Sequence, residues 1–318
     1  MATTRRVDLK EATSAYITTV VDNYIDNLAP NTEYVTRPTL MRGKVRREPL
    51  LAEHGLSFVI EVKADSEQHT IVMDFGISSV AMPHNLSALD IDITRAETFF
   101  ISHGHHDHIG SVGPILGSLP EPVDVVVHPD ALIGNRIHKF PDGKEIPIPT
   151  LRKEVIEKTG CPIVLVTSPK LLANGYVATL TDIPRQTDFE KGMPTAYYKE
   201  DDKLYKDDIR DDQGLVIHIK DKGLVVITGC GHAGIINTIL YAKEVTGVEE
   251  IFAVIGGFHL TGTMLEPVIP PTVEAMKQFS PNVIVPCHCT GWKAIHEFEK
   301  AFPANFSLNS VGAVVQLY

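Results

Sequence analysis

Four histidines and one aspartate stand within six positions, from His103 to His108, in the sequence I-S-H-G-H-H-D-H-I-G. His103 and His105 are separated by one residue, so in extended backbone their side chains project to the same side. Asp107 and His108 follow where the chain is expected to turn, and their adjacent side chains there can bind a second metal ion beside the first. Imidazole and carboxylate groups bind zinc, manganese, iron and cobalt. The spacing therefore predicts a site for two divalent metal ions, with zinc as the first expectation and manganese or iron as alternatives.

This stretch lies where a predicted strand gives way to a predicted helix. Ala96–Ile101 is an apolar, aromatic run typical of a buried strand, and Ile109–Leu119 is typical of a loop that enters a helix. A loop held between two such elements lets ligands converge while the scaffold keeps them in place. A histidine run can also be a solvated accident, but this pattern directly after an apolar strand favours the functional interpretation. His106 is expected to be a bystander or to lie behind the ligands.

Apolar runs along the chain predict a mixed fold of strands and helices. A strand is predicted within Ala12–Asp26, and Leu56–Val62 and Thr70–Met73 are predicted as strands joined by a turn at Glu67–His69. Further strands are predicted at Val123–Val127, Gly214–Ile219, Gly223–Thr228, Ile251–Ile255 and Val283–Val285, and helices at Ile235–Lys243, Pro271–Phe279 and Trp292–Phe302, the last of which is expected to close the fold.

Composition limits the classes of protein to which the chain can belong. With 318 residues it can bury a large core. A net charge of −11 argues against nonspecific binding to nucleic acid or to anionic membranes, since both reward positive charge. No apolar run reaches membrane-spanning length, no signal-peptide core is visible, and four cysteines do not make a disulfide scaffold. We therefore expect a cytoplasmic protein without a nucleic-acid or membrane partner, and its oligomeric state is open.

The segment Ser102–Gly110 resembles the signature of the metallo-β-lactamase superfamily, whose members carry H-x-H-x-D-H after a buried strand. The resemblance implies an α/β (α+β) fold, a four-layer αββα sandwich with one or two metal ions at the edge between its sheets. It spans about residues 15–300. We see no internal repeat or second domain, so residues 1–318 are expected to form a single domain of this fold.

Three later motifs also follow apolar strands, in the superfamily's order. They are T-G-C-G-H-A-G at residues 228–234, G-G-F-H-L at 256–260 and P-C-H-C-T-G at 286–291. The resemblance implies that His232 joins His103 and His105 around one metal ion, or that it lies where it contacts both metal ions. It implies that His288 joins Asp107 and His108 around the other.

Cys230 stands in T-G-C, where many superfamily members have an aspartate that bridges both metals. We expect a buried thiol behind the ligands, although a contact with metal stays open. The version G-C-x-H-x-G, together with G-G-F-H-L, resembles the branch that contains dihydropterin ribofuranosylaminobenzene-phosphate synthases. Asp74, in D-F-G, matches a superfamily aspartate that supports the metal-binding loop from behind, although most members have threonine where Phe75 stands.

Several residues are candidates for contact with substrate. His259 is expected to contact substrate rather than metal, and with Asp107 it is a candidate for proton transfer. The segments A-E-H-G and H-N-L resemble the same branch, as does V-D-N-Y at Asp22–Asn23, for which a simple turn is an equal alternative. The predicted substrate-binding residues are therefore His54, Asn85, Phe258 and His259.

Residues 135–213 differ in character from the rest of the chain. They are rich in proline, and Lys199–Asp212 is the most polar stretch of the protein. Proline and charge at this density favour a surface insertion or lid that covers the site. Candidate substrate contacts within it are Arg136, His138, Lys139, Arg185, Tyr197 and Tyr198, each of which can equally be an ordinary surface residue.

The predicted metal pair leads to a functional hypothesis. Two metal ions in a water-excluded cleft lower the pKa of a shared water towards neutrality and stabilise a developing oxyanion. The sequence therefore predicts a metal-dependent hydrolase of a small-molecule ester, lactone, amide or phosphate ester, with Asp107 also accepting a proton. The branch resemblance implies an alternative, a dihydropterin-dependent ribofuranosylaminobenzene-phosphate synthase-like transferase. A non-catalytic metal- or ligand-binding protein is the third alternative, which Cys230 in place of a bridging aspartate keeps open.

Overall fold

The structure is a computed structural model that describes residues 6–43 and 45–318. The strands of the described chain are β1 (Glu11–Ala12), β2 (Ser14–Val21), β3 (Val35–Thr36), β4 (Met41–Arg42), β5 (Val45–Arg46), β6 (Ser57–Ala64), β7 (Glu67–Met73), β8 (Thr98–Phe100), β9 (Asp124–Val127), β10 (Arg136–Lys139), β11 (Glu145–Pro147), β12 (Ile163–Leu165), β13 (Leu171–Leu172), β14 (Val177–Leu180), β15 (Ala196–Glu200), β16 (Lys203–Lys206), β17 (Gly214–Ile219), β18 (Gly223–Thr228), β19 (Ile251–Gly257), β20 (Val283–Cys287) and β21 (Val314–Leu317).

Helices join these strands on both outer faces of the molecule. They are α1 (Ala81–Leu89), α2 (Val112–Gly117), α3 (Lys153–Glu157), α4 (Ile235–Thr246), α5 (Ile269–Phe279) and α6 (Trp292–Ala301). The strands and helices predicted from the apolar runs are all present, with small shifts at their ends. Among the described residues, no helix is both long enough and apolar enough to cross a membrane.

Two large sheets form the centre of the described chain. One has the strand order β12-β9-β8-β7-β6-β2-β21-β3, and the other has the order β13-β14-β17-β18-β19-β20 with β1 beside β17. Within the first sheet β7, β8 and β9 are parallel, and within the second β18, β19 and β20 are parallel. Because parallel strands end at the same edge of a sheet, the loops that leave them lie close together.

Successive side chains along a strand point to opposite faces of its sheet, and apolar side chains on both faces explain how the two sheets pack against each other and against the helices. On β6, Phe58 and Ile60 belong to the core between the sheets, where they join Ile217 of β17, whereas Val59 belongs to the core beneath α1 and α2. On the outer face of the second sheet, Ile239 of α4 packs in a third cluster with residues of α5 and α6. Strands buried on both faces and helices on both outsides give the layers αββα, which confirms the predicted sandwich.

Two local predictions are wrong. The turn between β6 and β7 lies at Asp65 and Ser66, not at Glu67–His69, because Ala64 pairs with Glu67 and a two-residue turn closes the hairpin with Asp65 at φ 50°. Trp292–Phe302 does not close the fold, since the later strand β21 pairs with both β2 and β3. Helix α1 had no prediction, although it contains the H-N-L segment.

Residues 135–213 are divided between two parts of the structure. Strands β10, β11, β15 and β16 form a small antiparallel sheet of their own. In contrast, β12 pairs with β9 and β14 pairs with β17 inside the sandwich, where Val177 and Leu180 are completely buried. The small sheet is therefore separate from the two large sheets, and the covering role of this part of the chain stays a prediction.

Residues 187–190, which precede β15, are fixed to the start of α4. Helix α4 follows Gly234 and has no capping side chain of its own. The carboxylate of Glu190 instead accepts hydrogen bonds from the backbone N–H groups of Ile236 (2.9 Å) and Asn237 (2.8 Å). The Asn237 side chain in turn accepts a hydrogen bond from the backbone of Thr187 at 2.8 Å. Burial raises the pKa of Glu190 to about 7, against the lowering effect of these hydrogen bonds.

This contact predicts a pH-dependent contribution to stability. The folded protein holds the Glu190 proton more tightly than the unfolded chain, so this group makes the free energy of unfolding fall as pH rises from about 4.5 to about 7. Glu190→Gln keeps the shape and cannot ionise, so its stability relative to the natural protein is expected to increase over that range. Urea unfolding of both proteins measures the difference, and a difference that does not change with pH contradicts the prediction.

Candidate metal centre

The predicted ligands meet at the edge where the parallel strands of both sheets end. His103 follows β8, His232 follows β18 and His288 follows β20 directly. The short 3-10 turn His106–His108 carries Asp107 and His108 back towards this edge. All six predicted ligands, which are His103, His105, Asp107, His108, His232 and His288, are buried.

Three histidines form the first group. The Nε2 atom of His232 lies 3.2 Å from Nε2 of His103 and 3.1 Å from Nδ1 of His105. Two nitrogens bound to one tetrahedral zinc ion lie about 3.4 Å apart, given bond lengths of about 2.1 Å. Burial lowers the pKa of all three imidazoles, that of His105 to about 3, so they are neutral and offer lone pairs.

Asp107, His108 and His288 form the second group, beside the first. Oδ2 of Asp107 lies 3.1 Å from Nε2 of His288 and 3.6 Å from Nε2 of His108. Burial alone would raise the pKa of Asp107, but the nearby His108 and His288 hold it well below its usual value. The Sγ atom of Cys230 also lies among these ligand atoms, 3.2 Å from Nε2 of His108 and 3.4 Å from Nε2 of His288. The sequence led us to expect Cys230 behind the ligands, but its sulfur lies among the candidate ligand atoms.

A buried aspartate holds the histidine loop from the side opposite the ligand atoms. Asp74, with φ 62° at the end of β7, accepts hydrogen bonds from the backbone N–H and the hydroxyl of Ser102, both at 2.7 Å. Its Oδ2 atom also lies 2.6 Å from Nδ1 of His108. Burial would lower the pKa of His108, but Asp74 and Asp107 outweigh it and raise the pKa to about 9. The proton on Nδ1 therefore faces Asp74, and Nε2 is turned towards the other ligands.

His288 is held by two residues from the opposite end of the chain. The Asp22 carboxylate accepts a hydrogen bond from the backbone N–H of His288 at 3.0 Å. The Asn23 side chain donates to the His288 carbonyl at 3.1 Å, and its Oδ1 lies 3.3 Å from the ring Nδ1. These contacts direct Nε2 of His288 towards Asp107. The V-D-N-Y segment was the signal for this pair, which was not among the predicted site residues.

The two sheets approach each other closely behind the ligands. A Cβ atom on Gly229 would lie 2.1 Å from Oγ of Ser102 and 3.1 Å from a carboxylate oxygen of Asp74. No side chain fits there without displacing the Ser102–Asp74 contacts. The glycine of T-G-C is therefore required by close packing, and it places Cys230 and His232 directly against the histidine loop.

Two adjoining cavities open above the ligands. One, of about 240 Å³, is lined by His105, Asp107, Cys230 and His232. The other, of about 180 Å³, shares His232 with it. Its remaining lining is mostly apolar and includes Phe189, Phe258, Leu260, Met264, Leu265 and Val268. A wider, more open depression of about 710 Å³ beside the small sheet contains none of the ligands.

His259 lies between the two cavities. Its backbone has φ 44°, which is rare for a residue with a side chain, and its ring centroid lies 4.0 Å from that of His232. Within the described chain neither of its ring nitrogens has a hydrogen-bond partner, although both are buried. A strained backbone at a cavity wall, with a ring nitrogen within 4.8 Å of the Cys230 and Cys289 sulfurs, makes His259 a candidate contact for a ligand.

Other predicted contacts differ in their placement. His54 lines the first cavity, and its Nε2 lies 3.8 Å from Oδ2 of Asp107. His138 also lines it. Phe258 lines the second cavity and packs edge-on against a phenylalanine of α6. Four further candidates from residues 135–213 line neither cavity in the described chain. They are Lys139, Arg185, Tyr197 and Tyr198.

Two candidates have structural roles instead of the predicted ones. Asn85 is completely buried, and its side-chain nitrogen donates to the carbonyls of Val20 and Leu51, both at 2.8 Å. Arg136 is also buried and forms a two-pronged ion pair with Asp211 at 2.7 and 3.0 Å. These positions correct the prediction that Asn85 and Arg136 contact substrate, because neither side chain has an unpaired face to offer to one.

Comparison with known proteins agrees with this geometry. No protein-family model matches the chain. The 7,8-dihydropterin-6-methyl-4-(β-D-ribofuranosyl)-aminobenzene-5'-phosphate synthase of Methanocaldococcus jannaschii is 30% identical over 274 residues, 84% of this chain and 91% of that protein. An uncharacterised protein of the same organism is 29% identical over 269 residues, 83% of this chain and 93% of that protein. The crystal structure of Tm1679, a metal-dependent hydrolase of the β-lactamase superfamily, superposes with a TM-score of 0.71 at 24% identity, covering 96% of this chain and 98% of that one, which shows a common fold.

The contact between Asp74 and His108 predicts an effect on metal binding. Asp74→Asn keeps the size of the side chain but removes the charge that fixes the His108 proton. Loss of such a supporting partner typically weakens metal binding by about 10–100-fold, and we expect that range for zinc, measured by competition with a chelator. Asp182→Asn is the control, because Asp182 contacts His128 and Arg210 and no ligand. Equal zinc affinities in the two variants would contradict the proposed support.

Proposed function

Since the chain belongs to the metallo-β-lactamase superfamily, in the branch of the dihydropterin ribofuranosylaminobenzene-phosphate synthase, we propose that it is a metal-dependent hydrolase of a small molecule. One observation carries the proposal. Two groups of buried ligand atoms, spaced as metal ligands are, lie side by side against a cavity. Such an arrangement suits catalysis on a bound molecule rather than structural metal binding, in which the ligands close around the ion.

We assign His103, His105 and His232 to one divalent ion and Asp107, His108 and His288 to a second. Zinc suits this mixture of imidazole and carboxylate, and manganese or iron fits it as well. A bound pair of such ions supplies polarisation of a carbonyl or phosphoryl oxygen and activation of water near neutral pH. The rest of the chemistry belongs to side chains at the cavity.

Two side chains at the cavity are placed to act on a bound substrate. Against the burial that would raise it, the two histidines of its ligand group hold the pKa of Asp107 well below its usual value, so its carboxylate is ionised. It is placed to bind an ion and to accept a hydrogen bond or a proton from the substrate, although so weak a base would hold a proton only briefly. The ring of His259 lies on the other side of His232 with both nitrogens unpaired in the described chain, so it can donate one or bind a polar group. His54, above Asp107, is placed to contact the same substrate.

The cavities define the size and polarity of the substrate. Together their volumes of about 240 and 180 Å³ lie within the usual range for small-molecule sites, about 300–1,000 Å³. Histidines and Asp107 make up much of the lining of the first cavity, whereas aromatic and aliphatic side chains predominate in the second. We therefore propose a compact substrate with an ester, lactone, amide or phosphate ester at the metal side and an apolar or flat group in the second cavity.

A second candidate function comes from the named relative. The synthase of Methanocaldococcus jannaschii is matched over 91% of its length, so an analogous transfer between a dihydropterin and a ribosylaminobenzene phosphate is the alternative to hydrolysis. In that reaction the cavity residues would bind and orient two substrates and exclude water. A requirement for a dihydropterin diphosphate distinguishes this alternative from hydrolysis.

The proposal is tested with His105→Ala and His106→Ala, two substitutions in one histidine run. His105 belongs to the first ligand group, so its loss is expected to lower metal content and abolish turnover. His106 belongs to neither proposed ligand set, so metal content is expected to remain. Elemental analysis and a panel of lactones, aryl esters and phosphodiesters, run with and without the dihydropterin diphosphate pair, provide the measurements.

Each outcome of that test has a meaning. Full turnover by metal-free His105→Ala protein would refute metal-dependent catalysis. Turnover only with the dihydropterin pair would establish the transferase alternative. Bound metal with no turnover of any compound would favour the third possibility, a non-catalytic binding protein.

The position of His259 gives a separate prediction. His259→Ala is expected to retain its metal but to lose about 100- to 10,000-fold in turnover, the usual effect of removing a proton-transfer group. His84→Ala is a matched control, since His84 contacts the Pro49 carbonyl at 2.8 Å and lines neither cavity in the described chain. Metal analysis and steady-state rates check both variants. Loss of metal from His259→Ala would instead identify His259 as a ligand.

A further inference from the structure

We propose that Cys230 is a metal ligand shared by both ions, so that its thiolate joins the two ligand groups. This inference rests on the proposed pair of metal ions but not on the reaction they support. It replaces the expectation that Cys230 is a structural thiol.

The sulfur lies at ligand distance from both groups. Its separations from Nε2 of His108 and Nε2 of His288 are 3.2 and 3.4 Å. A sulfur and a nitrogen on one tetrahedral zinc ion lie about 3.6 Å apart, given bonds of about 2.3 and 2.1 Å. The same sulfur also lies within 4.8 Å of the ligand nitrogens of His103 and His232, which belong to the first group. One atom therefore faces both sets.

The surroundings of Cys230 differ from those of the structural thiols in this chain. Cys161 and Cys287 each belong to a hydrophobic core cluster, as inert buried cysteines do. Cys230 is as buried as they are, yet its sulfur contacts imidazole nitrogens and it belongs to none of the core clusters of the described chain. A thiol packed against imidazole nitrogens that can themselves bind metal is placed as a ligand rather than as part of an apolar core.

The backbone around Cys230 is fixed from both sides. The Gly229 carbonyl accepts a hydrogen bond from Gly257 at 2.9 Å, and the Cys230 carbonyl accepts one from the Cys289 thiol at 3.2 Å. Because Gly229 has no side chain, its backbone can pack directly against Ser102 at the start of the histidine loop. The sulfur is thus held in position before any ion binds, as a ligand site requires.

A thiolate changes what the pair of ions can do. Binding releases the thiol proton to solvent, and the sulfur then donates more charge to both ions than a carboxylate does. Soft thiolate ligands favour zinc over manganese, so Cys230 narrows the metal choice that the imidazoles and Asp107 leave open.

X-ray absorption on the zinc-loaded natural chain tests the inference without any substitution. A shared thiolate gives about one sulfur neighbour per zinc ion at about 2.3 Å, whereas a thiolate bound to one ion alone gives about half that number. A spectrum without sulfur, or with about half a sulfur per zinc, overturns the proposal. Because this measurement needs no turnover, a protein with shared sulfur that turned over none of the tested compounds would count against the hydrolase and leave this inference standing.

Three cysteine-to-serine variants then show which cysteine supplies the thiolate ligand. Cys289 is the rival, because its sulfur forms a further candidate group with Cys230 and His259. With cobalt as the probe, Cys230→Ser is expected to lose the thiolate-to-cobalt absorption and part of its bound metal. Cys289→Ser and the matched buried control Cys161→Ser are expected to keep both, and circular dichroism of the metal-free proteins verifies folding. Retention of the absorption by Cys230→Ser, or its loss from Cys289→Ser, would overturn the assignment.

Discussion

The site depends on one buried carboxylate. Asp74 is fully shielded from solvent at the end of β7, and it binds the backbone and hydroxyl of Ser102 and the ring of His108. An unpaired charge at this depth would be very costly, so its three partners must stay in place. That requirement fixes the start of the histidine loop, orients one imidazole and explains why Gly229 can carry no side chain.

Local patterns were sufficient to predict a group of candidate ligands but not everything that supports them. His103, His105, Asp107 and His108 lie within one loop, so their spacing alone predicts a metal site. In contrast, the contact between Asp22 and His288 joins residues 266 positions apart, and no periodicity encodes such a pairing. Most strands and helices were predictable because buried strands and amphipathic helices leave apolar runs, and the sandwich arrangement followed from the family resemblance. The short strand β21 was missed by the same apolar criterion.

Charge and polarity were misleading where the fold buries them. Arg136 lies in a segment rich in charge and proline, yet its ion pair with Asp211 places it among the most buried side chains of the described chain. Asn85 satisfies backbone groups of a neighbouring loop rather than a ligand. A sequence shows that a polar residue is present but does not show whether a partner from a distant segment already occupies it. His259 is the opposite case, since its partners are missing from the described chain.

The ligands belong to both sheets, and this has a mechanical consequence. His103 and His108 lie on a loop of the first sheet, whereas His232 and His288 follow strands of the second. A bound ion would therefore cross-link two layers that otherwise cohere mainly through apolar packing. Its binding free energy would add to the free energy of unfolding. Its loss into the cavity would break bonds to both layers at once, so the sheet edges would be held together less tightly without metal.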